Sequence, residues 1–423
     1  MYKPRVAIEV TPAPPGRGAF PDLAELPRLL AAAPHRLMFF AGATSVIVSM
    51  LWWACVLAAA RFGWTHVPVP PVPAGWAHAV LTQYGMLPMF VFGFLLTVFP
   101  RWMNQPALPR RRYVPVFAGV FGGYVVSHAG LLGHAGVFIA GLSLMLAGWI
   151  AAMFALGGVL VRGGADRHAV SCYVALAFGA CGLAAFVAYT LGAPWQLAFV
   201  AIKLGTFGLL LPVYFTVCHR MIPFFSTNVV AGYRVVRPTA SLPLLWTLVL
   251  AHLALESTHR YDAMWIADVP LAVFFAAHWI AWQPWKAMRP GLLAALYLAF
   301  AWLPVAFGLF AAQSLIFAAG GGFVLGRAPV HALTVGFFGS MLVAMVTRVT
   351  QGHSGRPLEM GRVPWLCLGA LQIVAVLRIA AESAGDKGLW LAIAAFAWVA
   401  AFLPWVVRSL GIYLRPRADG KPG

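Results

Sequence analysis

Charge is what this sequence has little of. Asp, Glu, Lys and Arg make up 9% of its 423 residues, and the acids are the scarcer sign, 11 against 29 Lys and Arg. A soluble domain needs far more charge to cover its surface, so a soluble enzyme or binding module is excluded. Cysteine is also sparse: the five, at positions 55, 172, 181, 218 and 367, all sit in apolar stretches, and no C-x-x-C occurs. That pattern speaks against a disulfide framework, and the missing C-x-x-C-H against covalently attached haem. P-loop, G-x-S-x-G, H-E-x-x-H and paired-carboxylate signatures are absent. No loop exceeds about 20 residues, which leaves no room for a soluble domain. The first 36 residues are Pro-rich and basic without an apolar h-region, and read as a flexible cytoplasmic tail, not a signal peptide.

What fills the chain instead is apolar: 62% hydrophobic residues, with 17 Trp and 30 Phe. Twelve stretches are long and apolar enough to span a bilayer, at 37–60, 77–99, 113–133, 135–161, 169–190, 195–218, 239–257, 262–282, 291–317, 328–350, 363–383 and 388–413. The expected fold is an all-α polytopic membrane protein of about 12 transmembrane helices. Residues 1–36 form a cytoplasmic tail, 37–413 a single transmembrane domain and 414–423 a second tail.

The net charge of +18 invites a nucleic-acid reading, but its placement argues otherwise. Of the 29 Lys and Arg, 23 fall in the tails and in the loops after even-numbered spans. Four (Arg61, Arg260, Arg327 and Lys387) follow odd-numbered spans, and Lys203 and Arg378 lie within spans. This is the positive-inside asymmetry, and it puts both termini in the cytoplasm of a bacterial inner-membrane protein. A shift of one helix would spoil the alternation, so the split also supports twelve. The counter-charge is anionic lipid, and no nucleic-acid partner is implied.

Spans 2, 6 and 10 end in similar registers, Thr97-Val-Phe-Pro-Arg101, Thr216-Val-Cys-His-Arg220 and Ala344-Met-Val-Thr-Arg348. Taken as a repeat, they divide the chain into three four-helix units in a pseudo-threefold bundle. The alternative is that any inner helix end tends to finish in arginine.

Orientation sorts the twelve histidines by depth. His78 and His331 open spans 2 and 10 at the outer face, and His128 and His252 fall in the outer halves of spans 3 and 7. Imidazole is a common axial ligand for haem and a good ligand for copper, so His78, His331, His128 and His252 are the candidate metal ligands. A helix-end histidine bonded to a carbonyl is the plainer reading for each. At the inner face stand His219-Arg220 and His353 with Arg348 and Arg356, in the glycine-flanked loop Gly352-His-Ser-Gly-Arg-Pro357. Arginines there suit haem propionates or another anion, although positive-inside loops explain them too. His35 and His168 are also inner, and His278 lies in the inner part of span 8. Lys203 and Asp268 sit at similar depth in the outer third, and the expectation is that they pair. Arg378 and Glu382, spaced i, i+4, should pair as well.

The stretch 331–358, with H-A-L-T-V-G, then T-R-V, then G-H-S-G-R-P-L, resembles the hallmark of the NnrS family, haem- and copper-containing membrane proteins linked to nitric oxide and denitrification. Gly93-Phe-Leu-Leu-Thr97 with Pro100 and Trp102, Arg220-Met-Ile-Pro-Phe-Phe225, Ala301-Trp302 and Pro34-His-Arg-Leu-Met-Phe-Phe40 extend the likeness over nearly the whole chain. The resemblance implies His78, His219, His331 and His353, with Arg220, Arg348 and Arg356 beside them, as cofactor-binding positions. It also departs: where the family has W-H-A-H-E at the start of span 2, this chain has Trp76-Ala-His78-Ala-Val80, and a histidine usual in span 9 is Tyr297. Those changes leave copper open.

The expected function is therefore a membrane protein that binds a non-covalent, b-type haem, with copper as an open second metal, and acts in nitric oxide response or nitrosative-stress tolerance. Catalytic turnover and an electron donor are not implied by the sequence. A nitric oxide reductase-like oxidoreductase is an alternative by analogy, weakened by the lack of an adjacent His-His pair in span 7. A cofactor-free secondary transporter is another, since twelve spans with both termini inside is the common transporter layout.

Overall fold

The structure is a computed structural model that describes residues 22–164, 166–289 and 291–420. Residues 1–21 of the expected N-terminal tail and 421–423 of the C-terminal one lie outside the described residues. A one-turn helix, Leu26–Leu30, is followed by α1 (Pro34–Phe62), α2 (Ala74–Trp102), α3 (Arg110–Gly130), α4 (Ala135–Gly163), α5 (Arg167–Thr190) and α6 (Gln196–Val229). The chain continues through α7 (Ser241–Ser257), α8 (Trp265–Lys286), α9 (Gly291–Ala318), α10 (Ala328–His353), α11 (Arg362–Ala380) and α12 (Lys387–Tyr413). No strand occurs among the described residues. Ten of these helices are long and apolar enough to cross a membrane. The other two are α3, which opens on three arginines, and α7, which has 17 residues. The protein is thus an all-α polytopic membrane protein, with ten helices meeting the length and composition of a crossing where the apolar stretches suggest twelve.

Local chemistry sets the helix ends. Pro34 occupies the first turn of α1, where its missing N–H costs nothing, and Gly63 closes the helix in the left-handed region at φ 71°. Asp166 caps α5 by accepting from the backbone N–H groups of His168 and Ala169, and Asp386 caps α12 by accepting from Leu389. Helices α3 and α4 pack backbone to backbone: a Cβ on Gly119 would lie 2.4 Å from the Cα of Gly148. Small residues at such a crossing let apolar helices gain dispersion contact where lipid supplies no hydrophobic drive.

Burial ranks the helices. The apolar windows of α2, α10 and α6 are 89%, 78% and 67% buried, against 33% for α1 and α11, so α2, α6 and α10 form the centre. Each of the three contains a π-helical segment in its outer half: Leu81–Met86, Leu204–Leu210 and Ala332–Gly339. Such segments are rare and concentrate at functional sites. Their recurrence in the helices that share the Arg101, Arg220 and Arg348 register is in keeping with a three-unit repeat. Below the π segments, with Phe39 of α1, the three helices line an apolar cavity of about 60 Å³ flanked by Phe94, Val217, Met341 and Met345.

Candidate functional site

Ionisable and imidazole side chains gather in four places, two toward the end of the bundle that sequence analysis assigns as outer and two at the opposite end. In the first, His78 of α2 lies flat against Trp53 of α1, ring centroids 4.6 Å apart and 7° from parallel. Its Nδ1 is buried and has no hydrogen-bond partner. His331 immediately precedes the π segment of α10, and its Nδ1 bonds the carbonyl of Arg327 at 2.8 Å. That bond makes Nδ1 the protonated nitrogen and leaves Nε2 with its lone pair, the arrangement found in metal-bound histidines. His78 and His331 are close enough to interact electrostatically, and Arg378 and Arg327 stand near this pair. Arg378 donates to Glu382 at 2.7 Å, the expected i, i+4 pair, and Lys387 donates to the other carboxylate oxygen at 2.6 Å. Just beyond the end of α11, burial pushes the Glu382 carboxyl up, but the hydrogen bonds from Lys387 and Arg378 outweigh it and hold the group at about 2.

His128 and His252, the other outer candidates, do not join this pair. His128 packs on Tyr124, with Nδ1 at 3.0 Å from the Tyr124 carbonyl and Nε2 buried without a partner. His252 belongs to the second cluster. Its Nδ1 is 2.6 Å from Asp268 of α8 and its Nε2 is 3.5 Å from Glu256, one turn along α7. Lys203 of α6 bonds the other oxygen of Glu256 at 2.5 Å. Lys203 therefore pairs with Glu256 and not with Asp268, which is taken by His252. Sequence reasoning placed these groups at a similar level without seeing that they form one chain.

The inner set expected from sequence divides in two. His219 of α6 is fully buried, with Nδ1 3.1 Å from His168 Nε2 of α5, and the His278 ring of α8 is 5.9 Å away. Arg220 donates to Asp166 at 2.8 Å and lies over Trp102, 4.3 Å from the ring centroid. Burial pushes the Asp166 carboxyl up, but the Arg220 hydrogen bond and the helix N–H groups overcome it and hold it below the usual carboxylate range. His353 lies elsewhere, against His35 of α1, ring centroids 4.0 Å apart. Arg348 covers the Phe225 ring at 3.8 Å, and Arg356 keeps a buried Nε without a partner. His35, His168 and His278 are the residues that sequence reasoning left as bystanders, although their inner depth was the signal. Tyr297 donates from its buried hydroxyl to the Trp282 carbonyl at 2.6 Å and meets Ser226 at 3.0 Å, a structural role that ties α9 to α6.

Among the described residues no three His, Cys, Asp or Glu side chains converge closely enough to hold a metal ion.

The sequence model of one protein family, described as NnrS protein, matches residues 29–417. The chain belongs to the NnrS family. Within the matched region lie every span and every cluster described above, so this family member carries its histidines, arginines and π segments on the shared scaffold. None of the curated proteins matches the chain.

Proposed function

We propose that this NnrS-family membrane protein binds a non-covalent b-type haem through His78 and His331 at the outer ends of α2 and α10, and acts in the response to nitric oxide. The observation that carries the reading is a pair of donor atoms near the N-terminal ends of two central helices: His78 Nδ1, buried without a partner, and His331 Nε2, left with its lone pair by the bond from Nδ1 to the Arg327 carbonyl. A buried polar atom without a partner costs about 1–3 kcal/mol, which is a reason to look for its ligand. The residues fit a haem: the two imidazoles would hold its iron, and Arg378 and Arg327 would supply cations for its carboxylates. When bound, a haem would supply a redox-active iron, open to nitric oxide only in place of one of the two imidazoles. The chain's own part is to hold the imidazoles, with Trp53 and the Arg327 carbonyl setting the two ring planes. Copper is less well supported, because the donor clusters here do not reach the three or four ligands that a dedicated site uses. The positive-inside charge distribution supports an inner-membrane location with both termini cytoplasmic.

The test is an optical spectrum of detergent-purified protein expressed with haem supply. A Soret band is expected, lost in His78→Ala and in His331→Ala and retained in His128→Ala. A colourless preparation without iron refutes the proposal. A second reading, a cofactor-free transporter, is favoured by one observation, the buried Lys203–Glu256–His252–Asp268 chain, and a colourless protein would turn attention to it.

A further inference from the structure

The chain of ionisable groups in the outer half of α6, α7 and α8 serves neither helix capping nor the His78–His331 pair. Lys203 Nζ meets Glu256 Oε1 at 2.5 Å, Glu256 Oε2 faces His252 Nε2 at 3.5 Å, and His252 Nδ1 meets Asp268 Oδ1 at 2.6 Å. Exposure falls along it: 24% for the Lys203 side chain, 7% for Glu256, and none for His252 and Asp268. At the far end, Asp268 Oδ2 is buried without a hydrogen-bond partner. Phe207, Phe307 and Phe310 enclose the imidazole, with the Phe207 ring centroid 4.0 Å from it. Beyond Lys203 the line reaches the outer turn: Lys203 lies over Phe199, which packs on His259, and His259 contacts the Tyr261 hydroxyl at 2.9 Å. Tyr261 is the other titratable group that feels Glu256, and α9 presents phenylalanines on this side.

Charge counting says how many protons the cluster can exchange. With Lys203 cationic and one transferable proton on His252 or Asp268, the two carboxylates are balanced and the cluster sums to zero. Removing one proton leaves one uncompensated negative charge in an apolar shell, and adding one leaves a positive charge. Ionisable groups are so costly inside a bilayer that a self-neutralising set with a dead-end acid marks a function.

We propose that Lys203, Glu256, His252 and Asp268 form a relay that exchanges one proton between the outer aqueous phase and Asp268. The proton comes from hydronium at the rim and enters on Glu256. In the proton-depleted state His252 is a neutral imidazole with its proton on Nδ1, so Glu256 Oε2–H passes the new proton to the free Nε2, and the imidazolium so formed releases its Nδ1 proton to Asp268 Oδ1. One O–H and one N–H bond break, one N–H and one O–H form, and the imidazole is left as its Nε2–H tautomer. No electrons move. The 3.5 Å contact between Glu256 and His252 is the longest link and sets the pace. Lys203 holds Glu256 in place and is a positioning residue, not a carrier. The relay is independent of haem binding, since none of its members touches His78 or His331.

Infrared difference spectroscopy of the full-length protein in nanodiscs, cycled between about pH 9 and about pH 5, reads the relay directly. A carbonyl-stretch band of a buried protonated carboxyl is expected to rise on acidification, shift in deuterium oxide, vanish in Asp268→Asn and persist in Glu359→Gln, an exposed acid in the loop after α10. In His252→Gln the band should form at least about a hundredfold more slowly, the scale on which a positioned proton carrier contributes. Should His252→Gln fail to fold, Glu256→Gln cuts the chain one link earlier and should show the same loss. An unchanged rate in either folded variant, or a wild-type protein with no such band, overturns the relay.

Discussion

Glu256→Ala leaves the Lys203 ammonium without its 2.5 Å partner and removes one of the two carboxylates that face His252. Breaking a buried ion pair costs about 3–5 kcal/mol because the remaining charge stays desolvated. Lys203 keeps 24% of its side-chain surface exposed, which lowers the expectation to about 3 kcal/mol. Lys203→Met should be milder, about 2 kcal/mol, since the surplus negative charge it leaves is shared by a cluster that can take up a proton. The double variant Lys203→Met/Glu256→Ala removes both charges and leaves the His252–Asp268 contact, itself neutral as an ion pair. Replacing a whole buried pair by apolar groups is often close to neutral, so the double variant should lose about 2–3 kcal/mol and not the 5 that addition gives. The coupling of about 2 kcal/mol is read from the cycle of four apparent unfolding free energies, measured by denaturant titration in detergent with helicity as the signal. Single-variant effects that add to within about 0.5 kcal/mol would show that Lys203 and Glu256 do not interact, and would refute both the pairing and the assignment of Lys203 as a positioning residue.

At the α3–α4 crossing, Gly119→Leu forces a side chain into the backbone of Gly148 and should lower the apparent unfolding free energy by at least about 3 kcal/mol, whereas Gly122→Leu, whose Cβ meets only the end of Leu144, should cost less than about 1. Asp166→Ala removes the cap of α5 and the partner of Arg220, a loss of about 1–3 kcal/mol in the same titration. Because the folded Asp166 carboxyl titrates below its unfolded value of about 3.9, its contribution is fully present above that pH and disappears as pH falls through the folded value; the wild-type and Asp166→Ala stabilities should therefore differ by a constant amount between about pH 5 and pH 7 and converge as pH falls well below the unfolded value.

Depth was legible in the sequence and azimuth was not. Apolar runs and the Lys and Arg asymmetry report where a residue sits along the membrane normal, and on that axis His78, His331, Lys203 and Asp268 were assigned consistently with the helices that carry them. Which groups meet depends on helix rotation and neighbours, for which one sequence holds little information. Arg378 and Glu382 were an easy case, because i, i+4 spacing on one helix fixes both coordinates. Lys203 was not, since Glu256 and Asp268 lie on two different helices at nearly the same height. His35 and His353, 318 residues apart, are in ring contact that no spacing rule anticipates. The π segments were invisible for another reason: a π turn inside an apolar helix leaves hydropathy unchanged, and the glycines within all three, Gly85, Gly205 and Gly336, are unremarkable by composition.

Those π segments also align two sites that look unrelated in sequence. Lys203 is the residue before the π segment of α6, and His331 the residue before that of α10. In the helix that follows each, a carboxylate stands four residues after a basic group: Glu256 after His252 in α7, Glu382 after Arg378 at the end of α11. The same three positions therefore carry Lys, His and Glu in one unit and His, Arg and Glu in the other. In the first, the central-helix group is a cation and is consumed by the acid, which leaves the imidazole between two carboxylates and free to pass a proton. In the second, Arg378 and Lys387 satisfy the acid, so the central-helix imidazole is left out of the ion pair with its Nε2 unclaimed. On the two proposals made above, exchanging which position holds the fixed cation turns one geometry from a proton carrier into a ligand.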